Sequence, residues 1–185
     1  RIGAQSMADR ERFILLGADA DVVECWGNLK FDFTPPPGIV EQGRQLRARL
    51  APDRPMWVAG STHAGEEQAC LVAQASLREA AAALGSAAPL LVVAPRRPER
   101  FEEVARLIAG SSGPPQRHST QAPAGACDVL LLDQMGALLP YYAAADAAFV
   151  GGSLVPVGGH NLLEPAALVK PVLAGPHTGN APEVA

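Results

Sequence analysis

The chain has 185 residues, enough for one domain with a full hydrophobic core and part of a second. With 48% hydrophobic and 18% charged residues, it has a folded, globular composition rather than a disordered one. A net charge of −4, from 15 basic and 19 acidic side chains, gives no basic stripe for nucleic acid, and no apolar run is long enough for a membrane-spanning helix. Cys25, Cys70 and Cys127 are few and far apart, which suits a reducing compartment. His63, His118, His160 and His177 lack the paired spacing of metal ligands. The chain begins at Arg1 rather than Met and ends without a terminal signal. It therefore reads as an internal piece of a longer protein, with any targeting or anchoring segment upstream.

Ser6, with Asp9 three residues later, starts a first helix carrying Phe13, Ile14 and Leu16, and Gly17 is placed to end it. Val22 to Trp26 reads as a short strand. Thr34-Pro35-Pro36-Pro37-Gly38 then halts regular structure, because proline removes donors and fixes φ. It predicts a stiff linker at 34–38 and a domain boundary, with residues 1–33 before it and 39–185 after it. Beyond the linker, strands and helices alternate. The pattern predicts a helix from Ile39 to Leu50, a buried strand Met56–Ala59, an alanine-rich helix from Glu66 to Leu84 and a strand Pro89–Ala94. A helix from Glu99 to Ile108 follows, then a polar or small stretch from Gly110 to Gly125 with a short strand near Arg117-His118. Asp128–Leu132 is the next strand, and a short helix to about Ala145 tolerates Pro140 only in its first turn. Ala147–Val150 and Pro171–Ala174 complete the strands.

Near-continuous apolar strands separated by helices imply an α/β fold, a Rossmann-like parallel sheet with helices on both faces. Ligands of such sheets sit beyond the carboxyl ends of the strands, near a switch in strand order. The segments leaving those ends are Gly60-Ser61-Thr62, Pro95-Arg96, Gln134-Met135-Gly136, Gly151-Gly152-Ser153 and Gly175-Pro176-His177. All are small or polar, as a nucleotide crevice requires. The stretch from Gly151 to Pro165 is the most informative. Glycines between a strand and a helix let main-chain N–H groups approach an anion where the helix dipole favours negative charge. Asn161 with Glu164 also fits a capping box in front of an ordinary helix, and spacing leaves both readings open.

The wording of the stretch carries more. GGSLVPVGGHNLLEPAA, followed by Lys170-Pro171-Val172-Leu173 and Gly175-Pro176-His177, closely resembles the nucleotide-sugar-binding half of the 3-deoxy-D-manno-octulosonic acid (Kdo) transferases of lipopolysaccharide synthesis. Further blocks carry the same resemblance in the same order. They are Arg1 to Ser6, Gly27 to Asp32, Ala59 to His63 with Glu66-Glu67, Pro95-Arg96 with Pro98 to Phe101, and Tyr142 to Asp146. The resemblance implies the GT-B arrangement, two Rossmann-like domains facing a cleft. Residues 1–33 would end the acceptor-side domain, and 39–185 would form a CMP-sugar-binding domain, C-terminally incomplete. The activity implied is inverting, metal-independent transfer of Kdo from CMP-Kdo to a lipid A precursor, without a cofactor. It would take place at the cytoplasmic face of the bacterial inner membrane, reached through the missing N-terminal part.

The resemblance also implies a donor site. Glu164 would accept hydrogen bonds from the ribose, with Asn161, Leu162 and Leu163 beside it. Pro95 and Arg96 would meet CMP, and Met135, Gly136 and Ala137 would lie against the cytosine or ribose. Ser61 and Thr62 would face the phosphate or sugar carboxylate, though Thr62 also fits a cap of the next helix. Gly151, Gly152 and Ser153 would offer main-chain N–H groups to the phosphate. His63, His160 and His177 read as hydrogen-bonded loop residues rather than as acid or base. No residue is assigned as the general base, which the family places on a Glu of the acceptor-side domain, upstream. Arg97 stands where the family pattern has His, Ala137 where it has Glu, Val157 where it has Arg, and Ala64 where it has Glu. At Ala137 only main-chain contacts would survive. Other readings of the same residues are another GT-B nucleotide-sugar enzyme using UDP, a transferase or epimerase, or a nucleotide-binding module without catalysis.

Overall fold

The computed structural model describes residues 1–120 and 127–180, so part of the predicted Gly110–Gly125 stretch lies outside the described residues. The chain divides into two compact units, the first ending at Thr34 and the second beginning at Pro35. In the first, strands β1 (Ile2–Ala4) and β2 (Val23–Cys25) pair in parallel around helix α1 (Met7–Leu15). The Ser6 hydroxyl opens α1 by accepting the Asp9 N–H at 3.1 Å. At the other end Gly17, at φ 100°, lets its own N–H reach the Ile14 carbonyl and that of Ala18 reach Phe13, a Schellman closure. Periodicity does not predict β1, whose three residues are too few to show a pattern.

The second unit runs α2 (Ile39–Leu50), β3 (Met56–Thr62), α3 (Glu66–Ala83), β4 (Leu90–Pro95), α4 (Phe101–Ser112), β5 (Gln116–Arg117), β6 (Val129–Leu131), α5 (Leu138–Ala144), β7 (Ala147–Val150), α6 (Leu163–Ala167) and β8 (Val172–Leu173). Its six strands lie in the order β5-β6-β4-β3-β7-β8, all parallel. Two expected boundaries move. α4 continues past Ile108, its last buried residue, through exposed positions to Ser112, and Gly113, at φ 85°, ends it. β3 continues to Thr62, its pairing with β4 carried past a bulge where the register shifts between Gly60 and Thr62. α6 is short, and its N-cap is Leu162, one residue beyond the Asn161 expected to cap it.

Alternation along the strands sorts the core onto two faces. Met56, Val58, Leu90, Val92, Leu130, Ala148 and Val150 pack with Leu50 of α2 and Tyr141 and Tyr142 of α5. Ala59, Leu91, Val93, Val129, Leu131 and Phe149 pack with Cys70 and Leu71 of α3 and Val104 and Ile108 of α4. Each such fully buried aliphatic side chain contributes about 1.5–3 kcal/mol relative to exposure. The chain leaves β3 towards the face carrying α3 and leaves β7 towards the face carrying α6. The connections diverge between these adjacent strands, so the switch in strand order, and with it a crevice, lies at the carboxyl ends of β3 and β7. Among the described residues no helix is long and apolar enough to cross a membrane.

Candidate functional site

The crevice is built around a buried carboxylate that sequence reasoning did not single out. Glu66, in the first turn of α3, is fully buried. One of its oxygens accepts the N–H groups of His63 at 2.9 Å and Gly152 at 2.8 Å, and the other those of Ser153 at 3.0 Å and Leu154 at 2.9 Å. Successive N–H groups at a glycine turn form a nest for an anion, and here the chain supplies that anion itself. Gly151 has no Cβ because one would meet the Thr62 Cα at 2.7 Å and the Glu66 carboxylate at 2.8 Å. Gly152, at φ 71°, turns the chain. The expectation that Gly152 and Ser153 donate main-chain N–H groups to a phosphate is therefore corrected: both donors point inward to Glu66. Ser153 is fully buried, with its hydroxyl donating to the Val150 carbonyl at 2.6 Å and accepting from the Gly175 N–H at 2.9 Å.

Thr62 is corrected in the same way. It is fully buried, and its hydroxyl donates at 2.9 Å to Glu67, which Arg100 also holds at 2.6 and 3.3 Å. Thr62 thus neither faces the crevice nor caps α3, whose N-cap is Gly65. Arg100 also pairs with Glu103 at 2.7 Å, and the bonds to Glu103 and Glu67 push its guanidinium further up from an already high value. A bidentate pair on a buried carboxylate fixes α3 against the start of α4.

Ser61 stands between these anchors at φ 55°, a left-handed conformation rare outside glycine. Next to it the Nε2 atoms of His63 and His160 lie 2.7 Å apart, with ring planes within 8° and centroids 5.0 Å apart. The centroid distance exceeds the nitrogen separation by about one ring radius on each side, so the rings meet head-on in a common plane as an N–H···N hydrogen bond. Burial, then His63 and Arg96, lower the His160 imidazole below its ordinary 6.5, with Glu66 opposing them. The Arg96 main chain is anchored by its N–H to the Thr62 carbonyl at 3.0 Å, and Pro95 before it is buried in β4. Among the described residues the Arg96 side chain makes no ion pair or hydrogen bond, whereas Arg97 pairs loosely with Glu99 at 3.9 Å.

Asn161 and Glu164 sit together on the α6 side. The Asn161 side-chain oxygen accepts the Leu163 N–H at 3.1 Å, and its amide donates to Glu164 at 3.2 Å; the N-cap of α6 is Leu162, so the expected capping box is not formed and a contact between the two side chains stands in its place. Glu164 and Leu163 are half-buried, while Leu162 turns into the core. Burial, then the charge of Glu164, holds the phenol of Tyr142 protonated; its hydroxyl occupies the space that a Cβ on Gly60 would need. The turn after β6 is separate. Met135 and Gly136 are exposed, and Ala137 opens α5. Ala137 also borders a cavity of about 430 Å³ lined by Gln45, Arg49, His118, Pro140 and Tyr141. The structure thus gathers Ser61, His63, Arg96, Gly152 and His160 at the switch point. Asn161 and Glu164 lie beside Tyr142, and no hydrogen bond among the described residues ties 135–137 to either group. Among the described residues no group of three or more His, Cys, Asp or Glu could hold a metal ion.

No family model matches the chain. It is similar to the 3-deoxy-D-manno-octulosonic acid transferase of Haemophilus influenzae, 39% identical over 184 residues that cover 99% of the chain and 42% of that protein. It is 37% identical over 187 residues to the 3-deoxy-D-manno-octulosonic acid transferase of Bordetella pertussis, covering all of the chain and again 42% of the relative. The chain therefore spans less than half the length of these curated relatives. Among solved structures it superposes on the C-terminal CMP-Kdo binding domain of WaaA from Acinetobacter baumannii with a TM-score of 0.67 and 35% identity, covering 80% of the chain and 75% of that domain.

Proposed function

The chain belongs to the 3-deoxy-D-manno-octulosonic acid transferase family, and from that premise we propose that it supplies the donor-nucleotide site of such an enzyme, binding CMP-Kdo. The observation that carries the reading is the 35% identity to a CMP-Kdo binding domain across three quarters of that domain's length. The crevice at the switch in strand order gives the ligand a place. In this reading Glu164 accepts ribose hydroxyls while Asn161 steadies it. Arg96, whose side chain makes no ion pair or hydrogen bond among the described residues, reaches the phosphate or a base carbonyl. Such a charge-assisted bond contributes about 1.5–3 kcal/mol. Met135 and Gly136 lie against the base, Ala137 and Leu163 offer main-chain contacts, and Ser61 faces the phosphate end. Residues before the proline linker end an acceptor-side domain of a GT-B enzyme. The complete enzyme passes Kdo to a lipid A precursor at the cytoplasmic face of the inner membrane, with inversion and without a metal. The proton of the acceptor hydroxyl goes to a base outside this chain.

Calorimetric titration of the chain with CMP, UMP and AMP tests the donor assignment. CMP should bind at least about tenfold more tightly than either, a difference of roughly 1.4 kcal/mol. Equal affinity for all three overturns it.

A further inference from the structure

At the glycine turn after β7, Glu66 takes the N–H groups of Gly152, Ser153 and Leu154. An anion arriving beside that turn meets side chains instead of these three donors. Beside Ser61, those that face it are His63 after β3, Arg96 after β4 and His160 from the loop after β7. Glu66 of α3 lies beneath them, and the buried Glu67–Arg100 pair lies next along the same helix. Gly152 brings the His160 ring close, since a Cβ there would stand 3.0 Å from its edge.

The head-on geometry dictates a proton count. One Nε2 carries a hydrogen and the other a lone pair, so in the neutral pair one Nδ1 is N–H and the other is bare. Among the described residues neither Nδ1 has a hydrogen-bond partner, yet no partnerless side-chain nitrogen is fully buried, so both reach solvent. One added proton converts the bare Nδ1 into a second donor and gives the pair a positive charge without disturbing the central bond. A second proton would set N–H against N–H at 2.7 Å and force the rings apart. We propose that the His63–His160 pair is a proton-linked anion site, taking up one proton as an anionic oxygen of the donor, from its phosphate or its sugar carboxylate, arrives beside Arg96. Arg96 disfavours the charged pair while the site is empty; a bound anion reverses that balance, and Glu66 supports the charge from below. The inference rests on the donor-site reading above.

Cytidine 5′-(methyl phosphate) is the probe, since its diester charge, unlike that of CMP, stays constant through the histidine range. Its affinity for the chain should rise several-fold from about pH 8 to about pH 6.5, and titration in buffers of different ionisation enthalpy should show uptake of about one proton. A parallel arm with free 3-deoxy-D-manno-octulosonate assigns the anion: uptake that follows the sugar acid and not the diester marks the carboxylate. His63→Gln and His160→Gln should each remove the pH dependence. Should either variant fold poorly, the imidazole Cε1 proton resonances of the unaltered chain give a second measurement, moving to higher pKa on ligand addition. Ligand binding without proton uptake in either arm, or uptake that persists in both variants, overturns the pair's role and leaves the donor site standing. Failure of the diester to bind at any pH overturns the donor site and the pair with it.

Discussion

The two flanks of the crevice are built on opposite plans. At the ends of β3 and β7 the polar groups are tied to one another: Glu66 gathers four N–H groups, Glu67 is held by Thr62 and Arg100, and Ser153 bridges Val150 and Gly175. At the ends of β4 and β6, Arg96, Met135 and Gly136 are exposed. A buried charge is stable only when fully hydrogen-bonded, and such a network fixes one loop geometry. The exposed Arg96 keeps its donors in solvent, where the proposed donor-site reading has a ligand take them. The contrast separates residues that shape the crevice from residues that read its contents, and each assignment is breakable.

The largest effect should come from Glu66→Gln. The amide turns a donor towards a cluster of donors, so at least one of the four N–H groups loses its acceptor while buried. We expect a loss of about 3–5 kcal/mol, which in a chain of this size lowers the melting temperature by roughly 10 °C. Thermal unfolding measures it, and a loss below about 1 kcal/mol would mean that the flank is not held from Glu66. Arg100→Met should follow at about 3 kcal/mol, because Glu67 would keep only the Thr62 hydroxyl. Adding Glu67→Gln to Arg100→Met should recover part of that loss, since it removes the unpaired charge. Arg97→Ala, on the open flank, should change stability by less than about 0.5 kcal/mol.

These anchors explain what the sequence hides. The parallel sheet is legible because runs such as Leu90 to Ala94 are continuously apolar, and the ends of α1 are legible because Ser6 and Gly17 are local signals. Glu66 and Glu67 look like dipole partners in the first turn of a helix. The burial of Glu66 depends on a loop 86 residues further along the chain and that of Glu67 on Arg100, 33 residues along, which no local pattern reports. The glycine stretch misleads for the same reason. It does build an anion nest, but whether a ligand or the chain's own carboxylate fills it is decided only by the tertiary fold. The junction of His63 with His160, 97 residues apart, is equally invisible to spacing.

For Arg96 on the open flank, and for Glu164 on α6, the effects should fall on affinity rather than stability. Arg96→Ala should weaken CMP binding by about tenfold or more, the worth of one charge-assisted bond, while the melting temperature stays put. Glu164→Gln should weaken it several-fold, since the amide still accepts from ribose but without charge. It leaves most of the contact with Asn161 in place, so melting should move little. Calorimetry beside thermal unfolding separates the two flanks: a variant of Arg96 or Glu164 that melts early but binds normally belongs with the anchors.

A further small effect is the dependence of stability on pH through His160. Burial, the neighbouring His63 and Arg96 lower its folded pKa below the ordinary 6.5. The unfolded chain therefore takes up its proton at higher pH than the folded chain does. Wherever the unfolded state binds more protons, stability rises with pH. The contribution is complete above about pH 6.5 and is lost as pH falls through the lowered folded value. Because the ring is only partly buried, solvent screening keeps the loss below about 1 kcal/mol. Melting temperatures measured from about pH 8 down to about pH 5 should decline on the acid side, and His160→Gln should flatten part of that decline. Carboxylates titrate at the lower end of this range, so the informative quantity is the difference between the variant and the unaltered chain. If the two curves run parallel, protonation of His160 is not coupled to folding, and the acid-side decline belongs to other groups.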